Sequence, residues 1–572
     1  RTAIRASLAC VQCRSRHLKC DAISPVCSRC KQEGGQCTYM KSRRGARVRR
    51  SEPQPERVQT TSPPATAMPT AQAPQLSQLP PKQRDSAFSL PALVSDGSTN
   101  SSSSSSLGGD DHIHSSSLSS SQEPILDLYY TYFHTAHPIV LPLHFLRQKI
   151  SEDVPGIKVL LSVMRFIGSL YAPKVCSEPL EEQLKISIAE VQPYTNGFEV
   201  QALVLYSIAV YWRNDLPRAS ELLDNATNKA LSLGMNTQQF AFHQSGGDPV
   251  LAESWRRTWW QLYVTDLHIM GSNHATTFRT SQRDILANVD LPCEEAEYIS
   301  GNIPPPKPTA DYDNREFADE DIIFSSFGYL IGLCRSFDLI LIGIPRNSEE
   351  IVKQMCTRLD ASAAAWLSLL SKSKRKLFRV DGTVDELLFK ANMLIQIYTI
   401  DAHRYLSTLT YCAIESVSSC APPPPPERLA PVYYRDAHVH TAKIMRAIER
   451  LTEMLTLPGR IAVHTPFTIC MIATATIAHL SACQNVLSSE DTKVARERIR
   501  VAMGALEVFA EVWPRGKKVV KEVKAVAREL LSLAPLPTPA TSSISNAQCL
   551  SAPYAPQIQS NSPALNPEPF PA

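Results

Sequence analysis

The chain is short of the features that mark most enzymes. It contains no glycine-rich phosphate loop, no His-Glu-x-x-His and no Gly-x-Ser-x-Gly. Strand-like alternation of apolar and polar residues is scarce, which argues against a sheet-based fold. Repeated apolar heptads are missing after residue 40, so no coiled coil is expected there. Residues 1 to 9 hold no apolar run long enough for a signal peptide, and the lack of a starting methionine suggests a trimmed or partial chain. Outside the first 37 residues the nine remaining cysteines form no Cys-x-x-Cys pair and are expected to be buried as small apolar residues. His268, His274, His403 and His464 have no Glu or Asp partner at zinc-enzyme spacing.

Net charge is also nearly lacking, at +3, but the total conceals an asymmetry. Residues 1 to 50 carry thirteen Lys or Arg against Asp21 and Glu33, a formal +11, which leaves −8 for everything that follows. A strongly basic head on an acidic body is the electrostatic footprint of nucleic-acid binding.

Inside that head lies the densest motif of the chain. It reads Cys10-Val-Gln-Cys13, six residues, Cys20, six residues, Cys27-Ser-Arg-Cys30, six residues, Cys37. A Cys-x-x-Cys step at a helix start lets two thiolates approach one zinc while first-turn amides face the sulfurs. Each half supplies three thiolates, one short of a tetrahedral zinc. Two zinc ions need eight ligand positions, so two of the six sulfurs must bridge. A disulfide framework suits secreted chains, and nothing here points to secretion. A metal-buffering tract would not need Arg14, Arg16 and Lys19 between its ligands.

These spacings resemble the fungal zinc binuclear cluster (Zn2Cys6) DNA-binding domain. The resemblance implies two Zn2+ ions in one cluster, with Cys10 and Cys27 bridging and Cys13, Cys20, Cys30 and Cys37 terminal. It places Ser24-Pro25 in the loop between the halves. It also implies a short helix between Cys13 and Cys20 that enters the major groove. There Arg16 and His17 align with the basic pair that reads a G·C-rich, CGG-like triplet. His17 departs from the usual lysine, though histidine can still donate to guanine O6 or N7. Arg14 and Lys19 are assigned to phosphates. The tract Lys41 to Arg50 has six basic residues in ten; Arg43, Arg44, Arg47, Arg49 and Arg50 are expected to add phosphate contacts and to serve as a nuclear import signal.

Residues 51 to 122 have linker composition, with nine prolines between Pro53 and Pro91 and an unbroken serine run from Ser101 to Ser106. Asp110-Asp111-His112-Ile113-His114 reads as solvated within it. From Pro124 to about Ala534 the pattern becomes helical. Val200, Leu203, Val204, Ser207, Ile208 and Tyr211 recur at three- and four-residue steps. Asp215-Leu-Pro217 opens a segment whose Ala219, Leu222, Leu223, Ala226 and Ala230 share a face, and Gly234 closes it. Glu253 to Met270 carries Trp255, Trp259, Trp260, Leu262, Tyr263 and Ile269 and is expected to stop at Gly271; its tryptophans read as core. At roughly 410 residues a division into two lobes is open. Ile461 to Leu480 is apolar, but His464, Pro466 and His479 favour a buried helix over a membrane span. Pro422 to Pro426 reads as a polyproline spacer. Helix returns from Ala495 to Leu533 with a break near Trp513-Pro514, and the Pro/Ser/Asn-rich tail lacks acidic-hydrophobic alternation.

Three stretches of this body are similar to the middle homology region of the same fungal regulators: Asp127 to Phe133 through His137-Pro138, Ala219 to Met235, and Ser254 to Asp266. The expected architecture is therefore a small zinc-binuclear-cluster domain plus a large all-α domain, joined by a disordered linker. Its boundaries are 1–50 for the DNA-binding domain with basic tail, 51–122 for the linker, 123–535 for the regulatory domain and 536–572 for a disordered tail. The expected function is sequence-specific regulation of transcription by RNA polymerase II in the nucleus, with no enzymatic activity, directed at a dedicated metabolic or biosynthetic gene set. Expected partners are double-stranded DNA, a second copy through the helical domain, the transcription machinery and a small-molecule effector; no membrane is expected. The competing readings are a co-regulator acting through its helical domain without reading DNA, and a helical-domain enzyme.

Overall fold

A computed structural model describes residues 10–16, 18, 20–23, 25–34, 36–38, 124–189, 196–273, 279–280, 284–319, 322–341, 348–430, 432 and 434–532. The expected linker, the Asp110–His114 stretch, His274 and the C-terminal tail lie outside them. The chain divides into two compact units, Arg1–Ile113 and His114–Ala572. Among the described residues there is no strand; pairing is confined to isolated bridges, Leu291 with Lys307 and Phe378 with Val384.

The second unit is all-helical around one contiguous hydrophobic core, so the division into two lobes does not arise. At its centre lies the helix Gly197–Trp212, buried at every position. The three- and four-residue periodicity marked one apolar face; in fact Ala202, Leu205, Ala209 and Val210 bury the others. A helix apolar all round belongs inside a large body. Its start is specified locally: Asn196 Oδ1 accepts the amides of Phe198 and Glu199 at 3.0 and 3.1 Å. Gly197 is required by proximity, since a Cβ there would lie 2.4 Å from the Trp255 ring.

The next helix, Leu216–Ser232, packs against it through the expected face. Asp215 caps it by accepting from Arg218 N at 3.2 Å, with Pro217 in the first turn. Gly234 takes the left-handed conformation that ends it (φ +74°), and Met235 N donates back to Ala230 O at 2.9 Å.

Helix Pro249–Ser272 is capped by Asp248, whose Oδ1 accepts from Val250 and Leu251 N. It does not stop at Gly271; the absent side chain makes room for the Tyr398 hydroxyl, 2.8 Å from where a Cβ would sit. Trp255, Trp259 and Trp260 are buried, and Trp260 Nε1 donates to Asp290 O at 2.9 Å. Along the same helix runs a polar brace. Arg257, 1% exposed, donates through Nε to Glu253 Oε1 at 2.8 Å, through Nη1 to Glu295 Oε2 at 2.6 Å and Pro138 O at 3.1 Å, and through Nη2 to Cys293 O at 3.0 Å. The guanidinium also stands 4.0 Å over the Tyr298 ring. Four acceptors and an aromatic face compensate a buried cation. Through it, segments around Pro138, Glu253 and Cys293 are locked together.

The rest of the unit is built from paired helices. Glu386–Arg404 packs on Ala437–Leu455, and Ser489–Val512 on Pro514–Leu530, the latter two separated at Trp513 as the proline predicts. The residues from Pro422 to Pro425 run extended into a short 3-10 turn, Pro426–Arg428. The apolar stretch from Ile461 resolves into a 3-10 turn, Ile461–Val463, and the helix Thr468–Asn485, which lies inside the body. No described helix is long and apolar enough to cross a membrane. Of the body cysteines, Cys334, Cys356, Cys420 and Cys470 are buried as expected, but Cys293, Cys412 and Cys483 are only partly buried and Cys176 is exposed, its thiol on Glu178; Cys549 lies outside the described residues.

Candidate metal centre and nucleic-acid interface

The N-terminal unit is organised by its sulfurs. Each Cys-x-x-Cys step starts a one-turn helix, Val11–Ser15 and Ser28–Gln32. At each start an amide points at the preceding sulfur: Cys13 N to Cys10 Sγ at 3.3 Å, and Cys30 N to Cys27 Sγ at 3.4 Å. These amides pull the Cys10 and Cys27 thiols below their ordinary pKa. The third cysteine of each half folds back on the first, with Cys10 N facing Cys20 Sγ at 3.5 Å and Cys27 N facing Cys37 Sγ at 3.3 Å. The two halves therefore repeat one arrangement, offset by seventeen residues. Val11 N donates to Thr38 O at 2.8 Å and Thr38 N to Gln12 Oε1 at 2.9 Å, joining the two ends of the cysteine-bearing segment 10–38.

Between the halves the sulfurs converge. Cys10 lies 3.8 Å from Cys27 and 3.7 Å from Cys30, and Cys13 lies 3.7 Å from Cys27 and 4.0 Å from Cys30. These separations are far beyond a disulfide bond of about 2.05 Å. Those of Cys10 with Cys27, Cys10 with Cys30 and Cys13 with Cys27 match two thiolates on one tetrahedral zinc, which at Zn–S bonds of about 2.3 Å lie about 3.8 Å apart. Two four-sulfur sets are formed, Cys10, Cys13, Cys20 and Cys27, and Cys10, Cys27, Cys30 and Cys37, each within 4.8 Å throughout. Cys10 and Cys27 belong to both. The donor set fits a pair of zinc ions with two shared thiolates.

The expected reader helix is displaced. It begins at Val11, includes Cys13 and ends at Ser15, because Cys10 Sγ takes the first-turn amide and so sets the start. Arg14 lies on it, though its side chain is outside the described residues, and Arg16 occupies the turn just after it. The Arg16 side chain is exposed and pairs with Glu33 at 2.9 Å. His17, Lys19, Arg43, Arg44, Arg47, Arg49 and Arg50 lie outside the described residues. Arg29 and Lys31 on the second helix, not singled out from the spacing, are also exposed. Their place beside Cys27 and Cys30 was the available signal.

Comparison with known proteins agrees with this geometry. Residues 8–46 match the fungal Zn(2)-Cys(6) binuclear cluster domain, and residues 126–344 match the fungal specific transcription factor domain. The C6 finger domain transcription factor iacK of Pestalotiopsis fici is 30% identical over 558 residues, covering 91% of this chain and 80% of the relative. The chain belongs to the fungal Zn2Cys6 transcription factors. As in that family, its small N-terminal unit is a binuclear zinc cluster domain and the remainder is mostly helical. The three body stretches similar to the family's middle homology region all fall within residues 126–344. The Zn2Cys6 factors are a transcription-factor family, not an enzyme family. No solved structure matches the chain.

Proposed function

We propose that this Zn2Cys6 factor binds duplex DNA through residues 1–50, with two zinc ions held by Cys10, Cys13, Cys20, Cys27, Cys30 and Cys37. Cys10 and Cys27 bridge, and the other four are terminal. The observation that carries this reading is the membership of Cys10 and Cys27 in both four-sulfur sets. Zinc supplies the fold of a unit too small to build an apolar core of its own. It does not attract DNA, because six thiolates and two zinc ions sum to −2. That task falls to the side chains.

Arg16 and His17 read a G·C-rich, CGG-like triplet in the major groove, while Arg14 and Lys19 hold phosphates. Arg43, Arg44, Arg47, Arg49 and Arg50 extend the phosphate contacts and direct the chain to the nucleus. The exposure of Arg16 at the end of the first helix supports the reading role. Residues 123–535 form the regulatory unit, through which self-association, contact with the transcription machinery and response to a small molecule are exerted on a dedicated metabolic or biosynthetic gene set.

The test is gel-shift titration of the zinc-loaded full chain against random-sequence and G·C-rich duplexes at low salt. Binding that a zinc chelator abolishes and added zinc restores supports the proposal. Zinc-saturated chain that leaves both duplexes unshifted would move the protein to the co-regulator reading.

A further inference from the structure

The helical unit holds a second convergence of metal-ligand side chains, assembled from three helices. Cys356 lies on Glu349–Ser368, His403 in the last turn of Glu386–Arg404, and His440 in the first turn of Ala437–Leu455. One ligand atom from each falls within 4.8 Å of the others. Cys356 and His403 are buried, at 3% and 0% exposure, and His440 is half-buried.

The surrounding hydrogen bonds aim these atoms at one another. His403 Nε2 lies 3.1 Å from Asp360 Oδ1, and the other carboxylate oxygen of Asp360 is taken by Lys443. A carboxylate accepts, so Nε2 carries a proton, and in the neutral ring, the form that binds a metal, Nδ1 of His403 keeps its lone pair. That lone pair faces His440 Nδ1 at 2.7 Å. A carboxylate behind a histidine is the usual support of a metal-binding imidazole, because it fixes tautomer and ring orientation and raises basicity. Cys356 Sγ contacts Ala402 O at 3.3 Å, beside His403. Cys356 and Asp360 are one turn apart on a single face, as are His440 and Lys443, so rigid helices position both the ligands and their supports.

We propose that Cys356, His403 and His440 form a third zinc site, within the helical unit and separate from the N-terminal cluster, with Asp360 as the positioning residue for His403. One thiolate and two imidazoles suit zinc, and three protein ligands leave a fourth position for water or an incoming ligand. Two nitrogens on a tetrahedral zinc stand about 3.3 Å apart. The half-exposed ring of His440 at the start of its helix must therefore move outward by a few tenths of an ångström. On binding, the Cys356 thiol releases its proton to solvent and His440 shifts its proton from Nδ1 to Nε2. The ion would tie helix Glu349–Ser368 to the start of Ala437–Leu455, making the packing of the regulatory unit depend on zinc.

The experiment is metal counting on the full chain after equilibration with zinc and removal of loosely held ion, comparing the native chain with His440→Gln and Asp360→Asn. Helix content is followed to confirm folding. The expected result is one zinc fewer per chain in His440→Gln, whatever number the cluster holds, so a failure of the cluster assignment is read separately. Asp360→Asn should keep the site but weaken its affinity by about 10- to 100-fold. Equal zinc content in native and folded His440→Gln chains overturns the proposal. An unfolded His440→Gln chain would be replaced by His440→Asn and Cys356→Ser, for which the same loss of one equivalent is expected and equal content is contradictory.

Discussion

Arg16 Nη1 lies 2.9 Å from Glu33 Oε2, tying the residue proposed to read guanine to the carboxylate that follows the second N-terminal helix. Both side chains are well exposed, at 65% and 45%. A pair so open to water is worth little and is weakened by salt. On the proposed reading, DNA displaces Glu33 from Arg16 at little cost. Glu33→Gln should strengthen DNA binding by a few-fold (about the worth of one surface pair), most at low salt. Titration against one duplex at two ionic strengths checks this, and unchanged or weaker binding would separate Arg16 from the interface.

The terminal thiols should be indispensable. Cys20→Ala removes a sulfur that also faces the Cys10 amide at 3.5 Å. Since small zinc domains fold through their metal, the variant should lose zinc from the N-terminal unit and lose DNA binding, while the helical unit keeps its helix signal. Retention of the native zinc content would show that Cys20 is no ligand.

Charge in the basic tract should be read by salt. Replacing Arg43, Arg44, Arg47, Arg49 and Arg50 with Gln should flatten the dependence of log affinity on log salt, by about 0.9 for each phosphate the tract no longer neutralises. An unchanged slope would assign the tract to import alone.

In the helical unit, the heaviest single loss should come from the Arg257 brace. Arg257→Met leaves Glu253 short of one cation at 1% exposure and strands the carbonyls of Pro138 and Cys293. Removing one member of a buried ionic network costs about 3–5 kcal/mol, so the unfolding midpoint should fall sharply. Denaturant titration followed by helix signal measures it. A change below about 1 kcal/mol would mean the brace is not structural.

Acid should weaken the same unit. Burial pushes His134 and His479 down to about 4 from 6.5, with the charges of Arg257 and Arg498 acting in the same direction and Glu295 opposing at His134. Between those values the unfolded chain takes up protons that the folded chain refuses. The stability is therefore complete above pH 6.5 and drains as pH falls toward 4. Each group contributes a loss on the order of 2 kcal/mol between pH 7 and 4.5. Urea midpoints at the two pH values should differ, and His134→Gln should reduce the difference. Equal midpoints would contradict the burial of neutral histidine.

How much of this was legible in the sequence depended on whether the cooperating residues lie near one another along the chain. The six N-terminal cysteines are spaced by two or six residues, so the metal centre is written locally. Asp215 and Gly234 act on their own helix's ends, and those boundaries could be read directly, whereas the start at Asp248 lies ahead of the apolar pattern that the reading followed from Glu253. The full burial of Gly197–Trp212 could not, since periodicity reports one face and tertiary packing covers the others. Glu253 and Arg257 stand four residues apart, a visible hint of the brace, but Glu295 and Pro138 join it only in the folded body. The same is true of Cys356, His403 and His440, whose ligand spacing exists only in three dimensions. The reader helix starts earlier than expected between Cys13 and Cys20 for a local reason: the Cys13 amide points at Cys10 Sγ, which sets the helix start at Val11.

The most direct measurement is selection from random duplex DNA by the zinc-loaded full chain, with a chelated sample in parallel. Enrichment of a G·C-rich triplet, singly or paired at a fixed spacing, and its loss on chelation are the predicted results. No enrichment by the zinc-loaded chain would contradict DNA reading by the cluster and leave the helical unit as the seat of function.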